Sequence, residues 1–214
     1  MSEQHADNPS GGILFIVSAP SGAGKTSLVK ALLKQDPTLA VCVSHTTRPM
    51  RPTEHNGINY HFVDTTTFRE LIANGEFLEH ADVFGNLYGT ARSSVARCFD
   101  SGADVILEID WQGAAQVRER HPDVVSVFIL PPSLATLRAR LHNRGEDASE
   151  VIENRLAEAR TELAHHNDFD YLVVNDDFAA ALTQLQAIVQ AERCRRPAAG
   201  KRLQTLLEDL LSAP

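Results

Sequence analysis

Five short runs of aliphatic residues constrain this chain most strongly: ILFIVS (13–18), AVCVS (40–44), DVILEID (104–110), VVSVFIL (124–130) and YLVVN (171–175). None alternates apolar with polar residues, the pattern of strands covered on both faces, as in a parallel sheet. Between and after them lie stretches of helical period: KTSLVKALLKQ, WQGAAQVRERH, PSLATLRARLHNR, SEVIENRLAEARTELAHH and DFAAALTQLQAIVQAERCRR, the last with Asp177 placed as its N-cap. Strand and helix in succession predict an α/β fold, a five-stranded parallel sheet flanked by helices. A chain of 214 residues suffices for one such domain carrying an inserted lobe.

The rhythm breaks at residues 45–90. HTTRPMRPTEHNG is a loop rich in Pro, Asn and Gly, followed by the alternating INYHFV, a short helix with Thr67 and Glu70 spaced as a capping box, and EFLEHADVFGNLYGT. This predicts a small mixed α+β lobe set into a core of residues 12–44 and 91–195. Residues 1–11 read as a flexible N-terminus, and 196–214 as a helical extension in which KRLQTLLEDLL packs as a terminal helix.

Charge and cysteine usage narrow the partners. Twenty basic against twenty-eight acidic residues give a net charge of −8, which argues against a protein that coats nucleic acid but allows a local basic pocket for phosphate. Three scattered cysteines (Cys42, Cys98, Cys194), no CxxC and no apolar leader segment predict a reduced, cytoplasmic setting. No apolar run approaches the roughly 20 residues that cross a bilayer, so no membrane partner is expected. His165 and His166 are adjacent and make a poor metal pair on a helix.

The chemistry begins at IVSAPSGAGKTSL (16–28). A buried-strand pattern runs into a glycine-rich loop and then a helix start, the context in which G-x-x-x-x-G-K-[ST] binds phosphate. Backbone N–H groups from Ala19, Pro20 onward through Ser21, Gly22, Ala23 and Gly24 (Pro20 itself offering none) would cradle phosphate oxygens, helped by the helix dipole. Lys25 would neutralise the β- and γ-phosphates of ATP, and the Thr26 hydroxyl would hold Mg²⁺. The pattern's first glycine is replaced by Ala19; Pro20 pushes residue 19 to an extended conformation, where alanine is unstrained. DWQG (110–113) has the form of the D-x-x-G of a GTPase, but no N-K-x-D follows and the last strand runs into VNDD, which argues against that class.

TTRPMRPTEHNGINYHFV (46–63) decides among the rest. Thr46, Thr47, Arg48, Arg51, Glu54, Gly57, Tyr60 and Phe62 fall where the guanylate kinase signature has them, and the resemblance to bacterial guanylate kinases runs in chain order from about Gly12 to Arg195. It implies a P-loop kinase fold and Mg²⁺-dependent transfer of phosphate from ATP to GMP, giving ADP and GDP in purine nucleotide metabolism. The inserted lobe would bind GMP, and residues 140–160 would form a helical lid. Arg48, Arg51 and Tyr60 would hold the GMP phosphate, joined by Ser44, Tyr88, Gly89 and Thr90, while Glu79 would accept from guanine N1–H and its 2-amino group.

Asp110 is expected at the sheet's C-terminal edge, with a role in GMP binding and, through water, at Mg²⁺. Glu108 points the same way in a strand; the family commonly has Asp there, so a GMP contact and a hydrogen-bonded core carboxylate both stay open. Arg140, Arg144 and Arg155 would neutralise the transferring group, and Asn175 would touch the adenine of ATP. Two other readings are weighed: a guanylate-kinase-like scaffolding module, opposed by the intact Gly22, Gly24, Lys25 and Thr26, and a kinase for another acceptor, opposed by Glu79 with Arg48 and Arg51. Self-association is left open.

Overall fold

A computed structural model describes residues 12–83, 85–142 and 149–212. The strands are β1 (Leu14–Ser18), β2 (Leu39–Val41), β3 (His45–Thr46), β4 (His61–Phe62), β5 (Phe77–Val83), β6 (Asn86–Ala91), β7 (Asp104–Glu108), β8 (Val125–Leu130) and β9 (Tyr171–Val174). The helices are α1 (Lys25–Gln35), α2 (Thr65–Ala73), α3 (Arg92–Asp100), α4 (Trp111–Arg120), α5 (Leu134–His142), α6 (Ser149–Ala164), α7 (Phe178–Cys194), α8 (Arg196–Arg202) and α9 (Gln204–Ser212).

Strands β2, β7, β1, β8 and β9 lie in that order in one parallel sheet, with β1 at its centre. Its residues alternate between two cores: Phe15 and Val17 pack with Leu28, Leu32 and Leu185 of α1 and α7, while Leu14 and Ile16 pack with Val95, Val117 and Phe128 on the other face. Both faces are covered, which is why LFIVS shows no polar alternation. A second sheet, ordered β4, β3, β6, β5, carries the antiparallel β5–β6 hairpin and a small core around Phe68 and Phe77. No described helix is long and apolar enough to cross a membrane.

Several expectations need correcting. The DVILEID run stops as a strand at Glu108, because Asp110 turns out to cap α4 by accepting from Gly113 N–H at 2.9 Å. The expected Thr67–Glu70 box is not the start of α2; Asp64 caps it, accepting from Thr67 N–H at 2.8 Å and from the Thr67 hydroxyl at 3.1 Å. An ionised carboxylate suits the positive end of the helix better than a neutral hydroxyl. Only His61 and Phe62 of INYHFV pair as a strand, and α3 had no counterpart among the expected helices. Helix α9 forms but buries none of its residues; Leu206, Leu207, Leu210 and Leu211 are all exposed. Asp177 does cap α7, accepting from Ala180 N–H at 2.8 Å.

Candidate active site

The site lies beyond the C-terminal ends of the parallel strands, where open α/β sheets bind ligands. From β1 the chain enters the loop at Ala19, whose methyl packs against the core. Ala23 N–H closes a turn on the Pro20 carbonyl at 3.0 Å, and Gly22 and Gly24 take φ of 91° and 98°, the left-handed region open to glycine. Gly24 is the N-cap of α1, so the helix begins with Lys25 and its first N–H groups face the loop.

The loop is braced from behind. Asn175, nearly fully buried, donates its amide to the Ala23 carbonyl at 2.7 Å, and a Cβ on Gly24 would collide with that amide nitrogen. Arg140 donates to the Ala23 carbonyl at 3.4 Å and to the Asn175 carbonyl at 3.0 Å. Leu137 and Leu141 of α5 close over Gly22. Asn175 and Arg140 thus meet at the back of the loop.

In front of it, Lys25 Nζ donates to the Ile109 carbonyl at 3.3 Å, and the Thr26 hydroxyl donates to Glu108 Oε2 at 3.0 Å. Glu108 therefore sits against Thr26 at the loop. Asp110, besides capping α4, accepts from Gln112 Nε2 at 3.0 Å. Thr26 and Glu108 present adjacent hard oxygens with Asp110 close by in chain, a donor set that fits a Mg²⁺ ion retaining several waters.

Facing the loop from the second sheet is Glu79, only 2 % exposed. It pairs across the hairpin with Thr90 and takes hydrogen bonds from it, while the Thr90 and Ser44 hydroxyls lie 2.9 Å apart. Burial, and then repulsion by Asp110, push the Glu79 carboxyl up to about 7 against the pull of Thr90 and Lys25. Gly89, the neighbour of Thr90, is buried against Phe68 and Phe77, where a Cβ would come within 3.0–3.1 Å of both rings and of the Glu79 carbonyl.

Arg48 sends Nη2 to both oxygens of Glu54, at 2.8 and 3.0 Å, and lies over the rings of Tyr60 and Phe62. Burial disfavours its charge, but Glu54 and Tyr88 outweigh that and hold its pKa above the ordinary value. The same Glu54 carboxylate accepts from the Arg51 backbone N–H at 2.8 Å. Tyr60 packs edge-on against Tyr88, and its phenol is pushed up to about 12, first by burial and then by Tyr88 and Glu108. Arg155 lies on α6 within the field of Glu158. Arg144 lies outside the described residues.

One site residue escaped the sequence reading. Glu162, on α6, takes a hydrogen bond from the Ser21 N–H of the loop, and burial raises its carboxyl to about 7 against the attraction of Lys25. The available signal was its spacing: 162 is two helical turns beyond Arg155 and on the same face.

Comparison with known proteins fits this geometry. The family model described as guanylate kinase matches residues 12–192. The chain belongs to the guanylate kinase family. The guanylate kinase of Alkalilimnicola ehrlichii is 60% identical over 200 residues, covering 94% of this chain and 98% of its own. That of Pseudomonas fluorescens is 55% identical, with 94% and 97% covered. The crystal structure of guanylate kinase from Anaplasma phagocytophilum superposes with a TM-score of 0.77 at 35% identity, covering 95% of this chain and 97% of that one.

Proposed function

We propose that the chain transfers the γ-phosphate of ATP to GMP, giving ADP and GDP. The observation that carries this reading is Glu79: a carboxylate 2 % exposed, in the field of Lys25, on the sheet opposite the phosphate loop. Guanine offers two donors to such an acceptor, N1–H and the 2-amino group; adenine offers an acceptor at N1 and no 2-amino group. A buried acceptor left unpaired is costly, so the wrong base is rejected steeply.

The second sheet, over about 45–90, serves as the GMP lobe and the parallel sheet as the ATP core. Arg48, Arg51 and Tyr60 hold the GMP phosphate, with Glu54 keeping the Arg48 fork oriented until it arrives. Ser44, Tyr88 and Thr90 line the pocket. The loop's N–H groups and Lys25 hold the ATP phosphates; Arg155, and Arg140 once lid closure draws it from the Ala23 and Asn175 carbonyls, add positive charge at the reacting end. Mg²⁺ arriving with ATP would supply charge neutralisation at the phosphates, held by Thr26 directly and by Asp110 and Glu108 through water. Transfer is in line between the two nucleotides, with no phosphoenzyme.

A coupled assay with ATP, comparing GMP, AMP, CMP and UMP as acceptors, tests the reading. GMP is expected to exceed AMP in kcat/KM by about 10⁴ or more. Comparable values for GMP and AMP would sink it.

A further inference from the structure

Helix α4 lies along the open edge of β5, the outermost strand of the second sheet. Gln112, Gln116 and Arg120 are spaced four apart and share one helix face. Alternate residues of β5 turn their backbone groups outward toward that face. Gln112 Nε2 donates to the Asp82 carbonyl at 3.3 Å. Gln116 pairs with His80 in both directions, accepting from its N–H at 3.2 Å and donating to its carbonyl at 2.7 Å. Arg120 donates to the Leu78 carbonyl. Four residues of helix rise about 6 Å and two of strand about 6.8 Å, so the two sets of groups nearly keep step. The helix thereby stands in for a further strand on an edge that would otherwise be open.

Glu79 sits inside this stretch of β5, and its side chain reaches back over the start of the same helix. A Cβ on Gly113 would fall 2.5 Å from Glu79 Oε2 and 3.1 Å from its Cδ. The carboxylate rests on bare backbone at Gly113, the glycine of DWQG.

The geometry points to α4 as the element that sets guanine specificity. Gly113, by lacking a side chain, and Gln116, by holding the β5 backbone at His80, fix where the Glu79 carboxylate stands. Both are positioning residues acting through Glu79, and the inference rests on the reading of Glu79 as the acceptor for guanine. A displaced carboxylate loses the 2-amino contact first, because two bonds to one planar edge need both oxygens in register.

The test measures Kd for GMP and for IMP, which is the same nucleotide without the 2-amino group, by calorimetry, with KM for ATP and Tm alongside. Gly113→Ala is expected to weaken GMP about tenfold or more and to cut the preference for GMP over IMP by a similar factor, with KM for ATP within about threefold. Alanine is the better helix former, so α4 itself is not weakened by the change. Gln116→Met, of similar length but without the amide, is expected to act in the same direction, and it carries the test should Gly113→Ala fail to fold. A lowered Tm with the GMP/IMP ratio at its wild-type value would overturn the inference. Glu79→Gln separates the two claims. If it collapses the ratio while Gly113→Ala and Gln116→Met leave it intact, the positioning inference fails alone. If Glu79→Gln leaves the ratio intact as well, the assignment of Glu79 falls and takes the inference with it.

Discussion

On the proposed reading Glu79 accepts from guanine only in its ionised form, because a protonated carboxyl would turn an O–H toward the N1–H donor. Burial holds that group near 7, so affinity for GMP should climb as pH rises from about 6 to about 8. Calorimetric titration of GMP across that range checks it. The phosphate of GMP also titrates near pH 6, and Glu79→Gln isolates the two contributions: it should remove only the part of the slope that belongs to the carboxyl. A wild-type slope in Glu79→Gln would place the titration elsewhere. In the unliganded protein the sign reverses. The folded-state pKa is raised above 4.5, so the stability this group contributes is full below that value and lost as pH rises through about 7. At this scale, Gly22, Gly24 and Lys25 were legible because they belong to a run whose order and spacing carry phosphate chemistry, whereas Arg48 and Glu79 were reached through the resemblance to guanylate kinases. Glu162 was not legible, since a single acid on an acid-rich helix looks like its neighbours until the fold brings it to Ser21. Glu108 likewise shows its place only through Thr26, far away in sequence.

Among elements, the loop and helix α1 give residue 24 two separate reasons to stay glycine. A Cβ there would crowd a phosphate held by the loop, and it would also collide with the amide nitrogen of Asn175. Gly24→Ala should therefore damage two things together. It strains a residue at φ 98°, about 1–3 kcal/mol, and it pushes away the amide that holds the Ala23 carbonyl. Activity should fall at least about tenfold, and the melting temperature should drop in the absence of any nucleotide. Loss of activity with an unchanged melting temperature would leave only the phosphate explanation. The longer buried strands and helices were legible from periodicity, because both faces of the sheet are covered. The paired strands of the second sheet were harder: β3 and β4 are two residues each, too short for any period. The start of α2 was misplaced because Asp64 and Thr67 are both plausible caps, and only the ionised one can also take the hydroxyl of the other. The leucines of α9 have the pattern of a packed helix, and a pattern does not say whether another surface is within reach.

For the molecule as a whole, the two sheets are joined by α4, which begins at the end of β7 and runs along β5. At the opposite end of β7, Asp104 is buried between Arg193 and Arg202 and accepts from Ile13 N–H at 2.8 Å, tying the start of the first strand to the last helices. That closure is long in sequence, and so is the centre of the sheet: β1 pairs Leu14 with Val105 and Phe15 with Val125. A strand at the start of the chain thus has no neighbour until residues well past the hundredth have been made. During synthesis, the apolar segment Leu14–Ser18 waits outside any sheet, while the β5–β6 hairpin needs only its own turn. Order of assembly should invert order of synthesis, because loop closure across such distances is slow and local pairing is fast. In refolding followed by pulsed hydrogen exchange, amides of Phe77–Ala91 should gain protection before those of Leu14–Ser18. Simultaneous protection of both would show that the sheets fold as one unit. Otherwise the strand that opens the phosphate loop is the part of this protein longest at risk of aggregation before it is of any use.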